Sequence, residues 1–339
     1  MTRLNDCLGI VITYNETEKT TKAIKSLYNA CVDIALVFNG WTDYHLRWLN
    51  KVDKYIDYKF LNKENVGFCE GNNQAMRLAI KKNYKYVFLL NNDAWIEKDC
   101  IEELIRVCEK NEKIGLAQPK VYKAWNRKIL DTTGLIFRYG NQYSWKYGLG
   151  NVTDRGRNEY DENQYDNKVN IIGCSACSVL YKVKMLKHVG LFWNKLWTMH
   201  EDAELSWRAW KYGWKAIYVP TAISYHWRGY TFSTAEKDHS VNKDLKILLK
   251  LLWCRNWVLT LLRHGSLNQR IFTALMWYYI GVKSWVGKRL NRNEIGGYYI
   301  WLCSLALLSR YYRKIMEEEF NELFKKANIV IKNIEIKEE

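Results

Sequence analysis

Proline is nearly missing from this chain of 339 residues, occurring only at Pro119 and Pro220, so a proline-rich linker is excluded. No run of 18 uncharged apolar residues exists. The longest candidates, 271–282 and 295–309, are too short for membrane spans. No apolar h-region precedes the first strand at Leu8, so a signal peptide is not expected. The chain also lacks GxGxxG after that strand and GxxxxGK[ST] anywhere, which argues against a dinucleotide dehydrogenase and a P-loop ATPase. Cys174-Ser-Ala-Cys177 is the one CxxC; without a second, or a nearby His pair, structural zinc is not expected. The nine cysteines are odd in number and irregularly spaced, which suits reduced, buried thiols in a cytosolic protein.

What is abundant is aromatic and basic. Aromatics make up 15% of residues, with 16 Trp, so a packed core is assured and global disorder excluded. The formal charge is +16, which suggests nucleic acid, anionic lipid or a phosphorylated substrate. Between 243 and 314, thirteen Lys or Arg stand against Asp244 and Glu294, interleaved with Trp, Tyr and Leu. The last 25 residues turn acidic, with seven Glu against four Lys.

The first half alternates strands and helices. Leu8–Thr13, Ile34–Phe38, Tyr58–Leu61 and Tyr86–Leu90 are short apolar runs rich in β-favouring residues. Between them, Thr17–Ala30, Asp43–Val52 and Gly71–Lys82 carry apolar residues at helical spacing. This is an α/β fold with a mostly parallel central sheet. Each strand ends in a polar or glycine-bearing loop: Thr13–Glu16, Asn39–Asp43, Asn62–Gly67 and Asn91–Asp93. In a parallel sheet these ends share one edge, where nucleotide crevices lie. Asp99–Asn111 reads as a helix and Gly115–Tyr122 as a fifth strand. Residues 123–169 dissolve into Gly, Asn, Asp, Tyr and Arg, a stretch too long for a plain connection; a functional loop or a small hairpin region is expected. Ile171–Tyr181 is a further strand, and Ala203–Tyr212 a helix capped by Gly213. Ala216–Val219 is the last strand, before Pro220 and His226.

Several motifs stand in a meaningful order. They are Ile10-Val11-Ile12-Thr13-Tyr14-Asn15-Glu16, Asn65-Val66-Gly67-Phe68 with Gly71-Asn72-Asn73, Leu89-Leu90-Asn91-Asn92-Asp93, Val189-Gly190-Leu191-Phe192, His200 through Arg208, and Val219-Pro220 with His226. Together, over about 8–235, they resemble the family 2 glycosyltransferases of the GT-A fold, nearest their rhamnosyltransferase-like branch. The resemblance implies a GT-A domain over 1–240 and leaves 241–339 as a helical C-terminal region. It implies an inverting transfer of a sugar, rhamnose by likeness to the branch, from a dTDP- or UDP-sugar to a glycan or lipid-linked glycan acceptor.

Such a transfer needs a cation on the departing diphosphate, a base for the acceptor hydroxyl and an in-line arrangement of both substrates. Asp93 is the best carboxylate for a divalent Mn²⁺ or Mg²⁺ ion, and the resemblance makes His226 its second ligand. Asp202, at the start of a helix that favours its ionised form, is the expected general base, with Glu201 orienting the site or the acceptor. The resemblance places Thr13, Tyr14, Asn15 and Glu16 around base and ribose. It puts Asn39, Asn65, Gly67, Asn72 and Asn92 in the donor pocket; Arg228 and Ser233, by their position after His226, are expected in a loop that closes over the diphosphate. Two departures matter. Asn91 stands where the family's first metal-motif carboxylate falls, so the metal rests on Asp93, and Trp193-Asn194 replace an acidic pair, so acceptor identity is not carried over.

The C-terminal region sets Leu245, Leu248, Leu249, Leu252, Trp253 and Trp257 at helical spacing, with a later basic cluster at Lys288, Arg289 and Arg292. Such faces suit the inner surface of a membrane, which would make a cytoplasmic protein peripheral, or packing against the core or a second subunit of a homo-oligomer. A nucleic-acid-binding protein is the reading from another class, but no nucleic-acid motif supports it. A catalytically dead relative is argued against by intact Asp93, Asp202 and His226.

Overall fold

The computed structural model describes residues 4, 6–14, 17–228, 239–288 and 296–335. By contacts the chain divides into Met1–Ile136 with Val152–Arg228, and Phe137–Asn151 with Gly229–Glu339. The sequence reading cut once, after 240; the contacts also assign a central hairpin to the C-terminal unit.

The first unit is organised on one sheet. Its strands are Cys7–Thr13 (β1), Asp33–Asn39 (β2), Tyr58–Asn62 (β3), Tyr86–Asn91 (β4), Ala94–Ile96 (β5), Ile114–Lys123 (β6), Asn126–Thr132 (β7), Asn170–Ile171 (β10), Ser178–Lys182 (β11) and Lys215–His226 (β12). Leu135–Gly140 (β8) and Gly148–Asp154 (β9) form a separate two-stranded pair. The order is β10-β12-β6-β11-β4-β1-β2-β3, with β5 on β12 and β7 on β6. β3, β2, β1 and β4 run parallel. β11 is antiparallel to both β4 and β6, so β6 regains the direction of β4, and β12 runs parallel to β6. The ends of β1, β2, β3, β4 and β12 therefore share one edge.

The sheet is apolar through its middle because helices cover it. Val87, Phe88, Leu89 and Leu90 of β4 are at most 2% exposed, and each such burial is worth about 1.5–3 kcal/mol. Helix α1 (Glu18–Asn29) buries Ala23, Ile24 and Leu27, the stripe its spacing predicts. Helices α2 (Asp43–Val52), α3 (Gly67–Lys81), α4 (Cys100–Glu109), α5 (Val183–Val189) and α6 (Glu201–Lys211) complete this unit.

Two elements differ from their sequence expectation. α3 starts four residues before Gly71 because the orphan N–H groups of its first turn find acceptors. Val66 N donates to Asn39 Oδ1 at 2.8 Å, Gly67 N to Asn65 Oδ1 at 2.9 Å and Cys69 N to the Trp197 carbonyl at 3.0 Å. The single strand expected over 171–181 is broken into β10 and β11. Between them backbone donors go to side chains: Cys174 N to Ser206 Oγ, Ser175 N to Gln118 Oε1 and Ala176 N to Asp202 Oδ2.

The second unit holds helices α7 (His239–His264), α8 (Leu267–Lys288), α9 (Gly296–Ala306) and α10 (Arg310–Glu335). The hairpin joins it through aromatic packing. Phe137 meets Trp145 and Trp257 edge-on at 5.3 and 6.3 Å between ring centres, and buried Gln269 donates to the carbonyls of Trp145 and Gly148. Among the described residues, no helix is long and apolar enough to cross a membrane.

Candidate active site

Asp93 and His226 are 133 positions apart in the chain, and the short β5 brings them together. β5 reverses direction right after Asp93 and pairs antiparallel with the end of β12, Ala94 opposite His226. Trp227 N then donates to the Asp93 carbonyl at 3.0 Å. The result is His226 Nε2 at 3.1 Å from Asp93 Oδ1, both residues buried. Asn91 Nδ2 lies 3.4 Å from the same Nε2.

The other imidazole nitrogen is held by a residue that sequence reasoning missed. His226 Nδ1 is 2.9 Å from Oδ2 of Asp131, a fully buried carboxylate on β7. Arg228 Nε donates to both Asp131 oxygens at 2.7 and 2.8 Å, and its Nη1 reaches Asp154 Oδ2 at 2.8 Å. Lys123 Nζ is 3.6 Å from Asp131. The sequence singled out neither Asp131 nor Asp154; the one signal for Asp131 is its place directly after the apolar pair Ile129-Leu130.

These charges set one another. Burial alone would lift the Asp93 carboxyl, but His226, its own backbone N–H and Lys19 outweigh that and hold it below the usual range. Burial likewise works against charge on His226, yet Asp93, Cys177 and Asp131 carry its pKa well above the ordinary value. Asp131 is held well below the usual range, its burial overcome by His226 and Arg228.

Asp202 and Glu201 open α6. Asp202 Oδ1 accepts from Ala203 N at 2.7 Å and Oδ2 from Ala176 N at 3.2 Å. The helix start was expected to favour its charge, but burial and the facing Asp154 prevail over those N–H groups and Arg228, pushing it up to about 6. Glu201 is buried, with Oε2 lacking a hydrogen-bond partner; burial and Asp202 push it up to about 8. Burial thus raises both carboxyls, so the pair holds protons to higher pH than free acids do. Three non-glycine residues with left-handed φ precede it, Trp197, Met199 and His200 at 62°, 73° and 65°. Such residues cost about 1–3 kcal/mol each and persist only where surroundings impose them. Here Gly67 makes room for Trp197: a Cβ on Gly67 would sit 2.5 Å from the indole.

The expected donor residues fall into two groups along the strand ends. Asn39 and Asn65 are joined, Nδ2 to Oδ1 at 2.8 Å, and Asn39 Nδ2 also reaches the Gly67 carbonyl at 3.2 Å. Asn92 Nδ2 lies 3.4 Å from Thr13 Oγ1, and Tyr14 packs its ring on Gly40 beside Asn39. Asn72 is turned inward, 1% exposed, donating to the Phe68 carbonyl. Asn15, Glu16 and Ser233 lie outside the described residues.

The donor chemistry fits a divalent cation. Asp93 offers a hard carboxylate oxygen beside the Nε2 of an imidazole whose Nδ1 side is fixed by a carboxylate, the arrangement that orients histidine ligands. Asp131, Cys177 and His226 also bring one ligand atom each within 4.8 Å of one another. Both Asp131 oxygens are, however, already engaged by Arg228 and His226, so Asp131 better orients the site than ligates in it.

Residues 10–190 match the sequence model described as glycosyl transferase family 2. No curated protein matches the chain in sequence. Among solved structures, Staphylococcus aureus TarS 1-349 in complex with UDP is similar at 12% identity, covering 96% of this chain and 88% of that one, with a TM-score of 0.53. The mannosyltransferase PcManGT from Pyrobaculum calidifontis, in complex with GDP-Man and Mn²⁺, is 13% identical over 97% of this chain and 87% of its own, at a TM-score of 0.51. GalNAc-T7 with UDP, GalNAc and Mn²⁺ is 17% identical over 66% of this chain, which spans 44% of that longer one, at 0.49.

Proposed function

This chain belongs to glycosyl transferase family 2 and is a glycosyltransferase, and we propose that it moves a sugar from a nucleotide-diphosphate donor to a hydroxyl of a glycan or lipid-linked glycan, inverting the anomeric carbon. The observation that carries this reading is the convergence of Asp93 and His226, 3.1 Å apart, on the edge where the parallel strands end. Two structures of like fold were solved with UDP, or with GDP-Man and Mn²⁺, which supports a donor of that chemical class.

Asp93 and His226 would hold a divalent ion, Mn²⁺ or Mg²⁺. When bound it would supply positive charge to the leaving diphosphate. Asp131 fixes the imidazole with Nε2 turned to Asp93, and Arg228 completes a chain of paired charges through Asp154 toward Asp202. Asp202 takes the proton of the acceptor hydroxyl. That oxygen forms the new bond to the anomeric carbon while the bond to the diphosphate breaks, and the nucleoside diphosphate leaves with the electron pair. Attack from the face opposite the leaving group gives inversion. Glu201, its carboxyl raised by burial and Asp202, would donate a hydrogen bond to the acceptor when protonated. Thr13, Tyr14, Asn39, Asn65, Gly67 and Asn92 line the strand ends where base, ribose and sugar would lie.

The motifs' likeness to the rhamnosyltransferase branch makes dTDP-rhamnose the first donor to test and a UDP-hexose the second. The deciding experiment incubates the protein with Mn²⁺ and a panel of dTDP-, UDP- and GDP-sugars and records nucleoside diphosphate release. A panel in which no donor is bound or turned over sinks the reading.

A further inference from the structure

The outward face of α8 is apolar where a surface helix is normally polar. Leu267, Ile271, Leu275, Tyr278 and Tyr279 recur at helical spacing and are all exposed, Leu275 by 66% and Tyr279 by 67%. The opposite face is already satisfied within the unit: Gln269, Thr273, Ala274 and Trp277 are buried. Leu308, in the turn before α10, and Tyr311, in its first turn, are also exposed.

Positive charge accompanies this apolar surface. Arg270 at the start of α8 donates to the Leu261 and Leu262 carbonyls, and Arg313 donates to the Ala306 carbonyl. Arg270 and Arg310 each stand close enough to Arg313 to repel its charge. Between Asp244 and Glu317 the chain carries twelve Lys or Arg against the single Glu294.

We propose that the α8 face, with the arginines around it, docks this unit on the surface of an anionic phospholipid bilayer. Leucine, isoleucine and tyrosine side chains would enter the boundary between headgroups and acyl chains, and the arginines would meet phosphates. A second copy is the poorer occupant. A symmetric dimer sets the same patch against itself, and here that would oppose one arginine cluster to another. A protein that crosses no membrane through its described helices still gains two attractions to such a surface, apolar and electrostatic.

The test uses the full chain and sedimentation with vesicles of phosphatidylcholine, with or without phosphatidylglycerol. Wild type is expected to sediment with the anionic vesicles, weakly with the neutral ones, and less as salt rises. Leu275→Glu is expected to weaken partitioning about tenfold, from the lost burial of one leucine. Arg310→Glu is expected to weaken it about fivefold or more, since each basic residue near such a surface contributes roughly that factor. Both sites are exposed, and unchanged circular dichroism and melting would show that the fold is intact. Failure of wild type to bind anionic vesicles overturns the proposal. So does binding lost in Arg310→Glu but kept in Leu275→Glu, the mark of a surface for any polyanion. A wild-type dimer that Leu275→Glu dissociates, without vesicle binding, would make a second copy the occupant.

Discussion

The imidazole of His226 is held between two carboxylates, Asp93 Oδ1 at 3.1 Å from Nε2 and Asp131 Oδ2 at 2.9 Å from Nδ1. One side of the ring faces the expected ligand partner and the other faces a fully buried anchor. The two acids should therefore differ in what their loss does.

Replacing Asp93 by Asn removes the proposed charged ligand and keeps the side chain's size. Asp93→Asn is expected to lower nucleotide-sugar turnover at least about a hundredfold, as does chelation of the metal. Calorimetric titration with Mn²⁺ should show the affinity gone while the melting temperature stays near wild type.

Loss of Asp131 acts on metal and fold together. Asp131→Ala leaves Arg228 and Lys123 without their shared acid and is expected to destabilise the protein by about 3–5 kcal/mol in a denaturant titration. Asp131→Asn keeps an acceptor for Nδ1. It should fold better than Asp131→Ala but bind Mn²⁺ about 10–100-fold more weakly than wild type.

Metal binding should also be pH-dependent in a defined direction. His226 is protonated well above its ordinary pKa, and an imidazolium cannot ligate. The ion must displace that proton, so Mn²⁺ affinity is expected to rise with pH by up to about tenfold per unit until the imidazole titrates. Calorimetry in buffers of different ionisation enthalpy should register a released proton; affinity flat from pH 6 to 8 would remove His226 from the ligand set.

The acid pair of α6 makes a second pH statement. As the proposed base, Asp202 must be ionised to accept a proton, and burial and Asp154 push its pKa up to about 6. The transfer rate at saturating substrate should be level above that pH and fall about tenfold per unit below it. Glu201→Gln imitates the protonated carboxyl and should keep most activity at neutral pH, whereas Asp202→Asn should lose it. Full transfer by Asp202→Asn would mean another group is the base.

Gly67→Ala probes the strained segment ahead of that pair. The substitution places a methyl against the Trp197 ring at a φ of +86°. It is expected to cost about 2 kcal/mol in thermal or denaturant melts and to disturb the pair beyond it.

The sequence displayed the parallel half of the sheet openly. β1 to β4 are short apolar runs with abrupt polar ends, and the residues at those ends do share an edge. Motif order singled out Asp93, Asp202 and His226, and the structure sets Asp93 against His226. Asp131 was hidden because β7 pairs with β6 through register shifts, which erase strict alternation, and Asp154 because it ends β9 in a stretch with no apolar period. β5 is three residues long, too short to carry a period, yet it sets the Asp93–His226 contact. The break between β10 and β11 was invisible because its backbone bonds go to Gln118, Asp202 and Ser206, partners far away in the chain.

The place of β11 between β4 and β6 has a consequence for the order of assembly during synthesis. β1 to β4 can pair as they are made, each beside a neighbour already present. β6 emerges before β11 and pairs only with the following β7 until 178–182 arrive to bridge it to β4. β12 comes last and brings His226 to Asp93. The nascent protein would thus spend its middle period as a half-sheet with an open edge beside β4. Aggregation and chaperone capture threaten most at that stage. Affinity for the ion would appear only once the final strand is in place, so metal uptake would report completed folding of this unit.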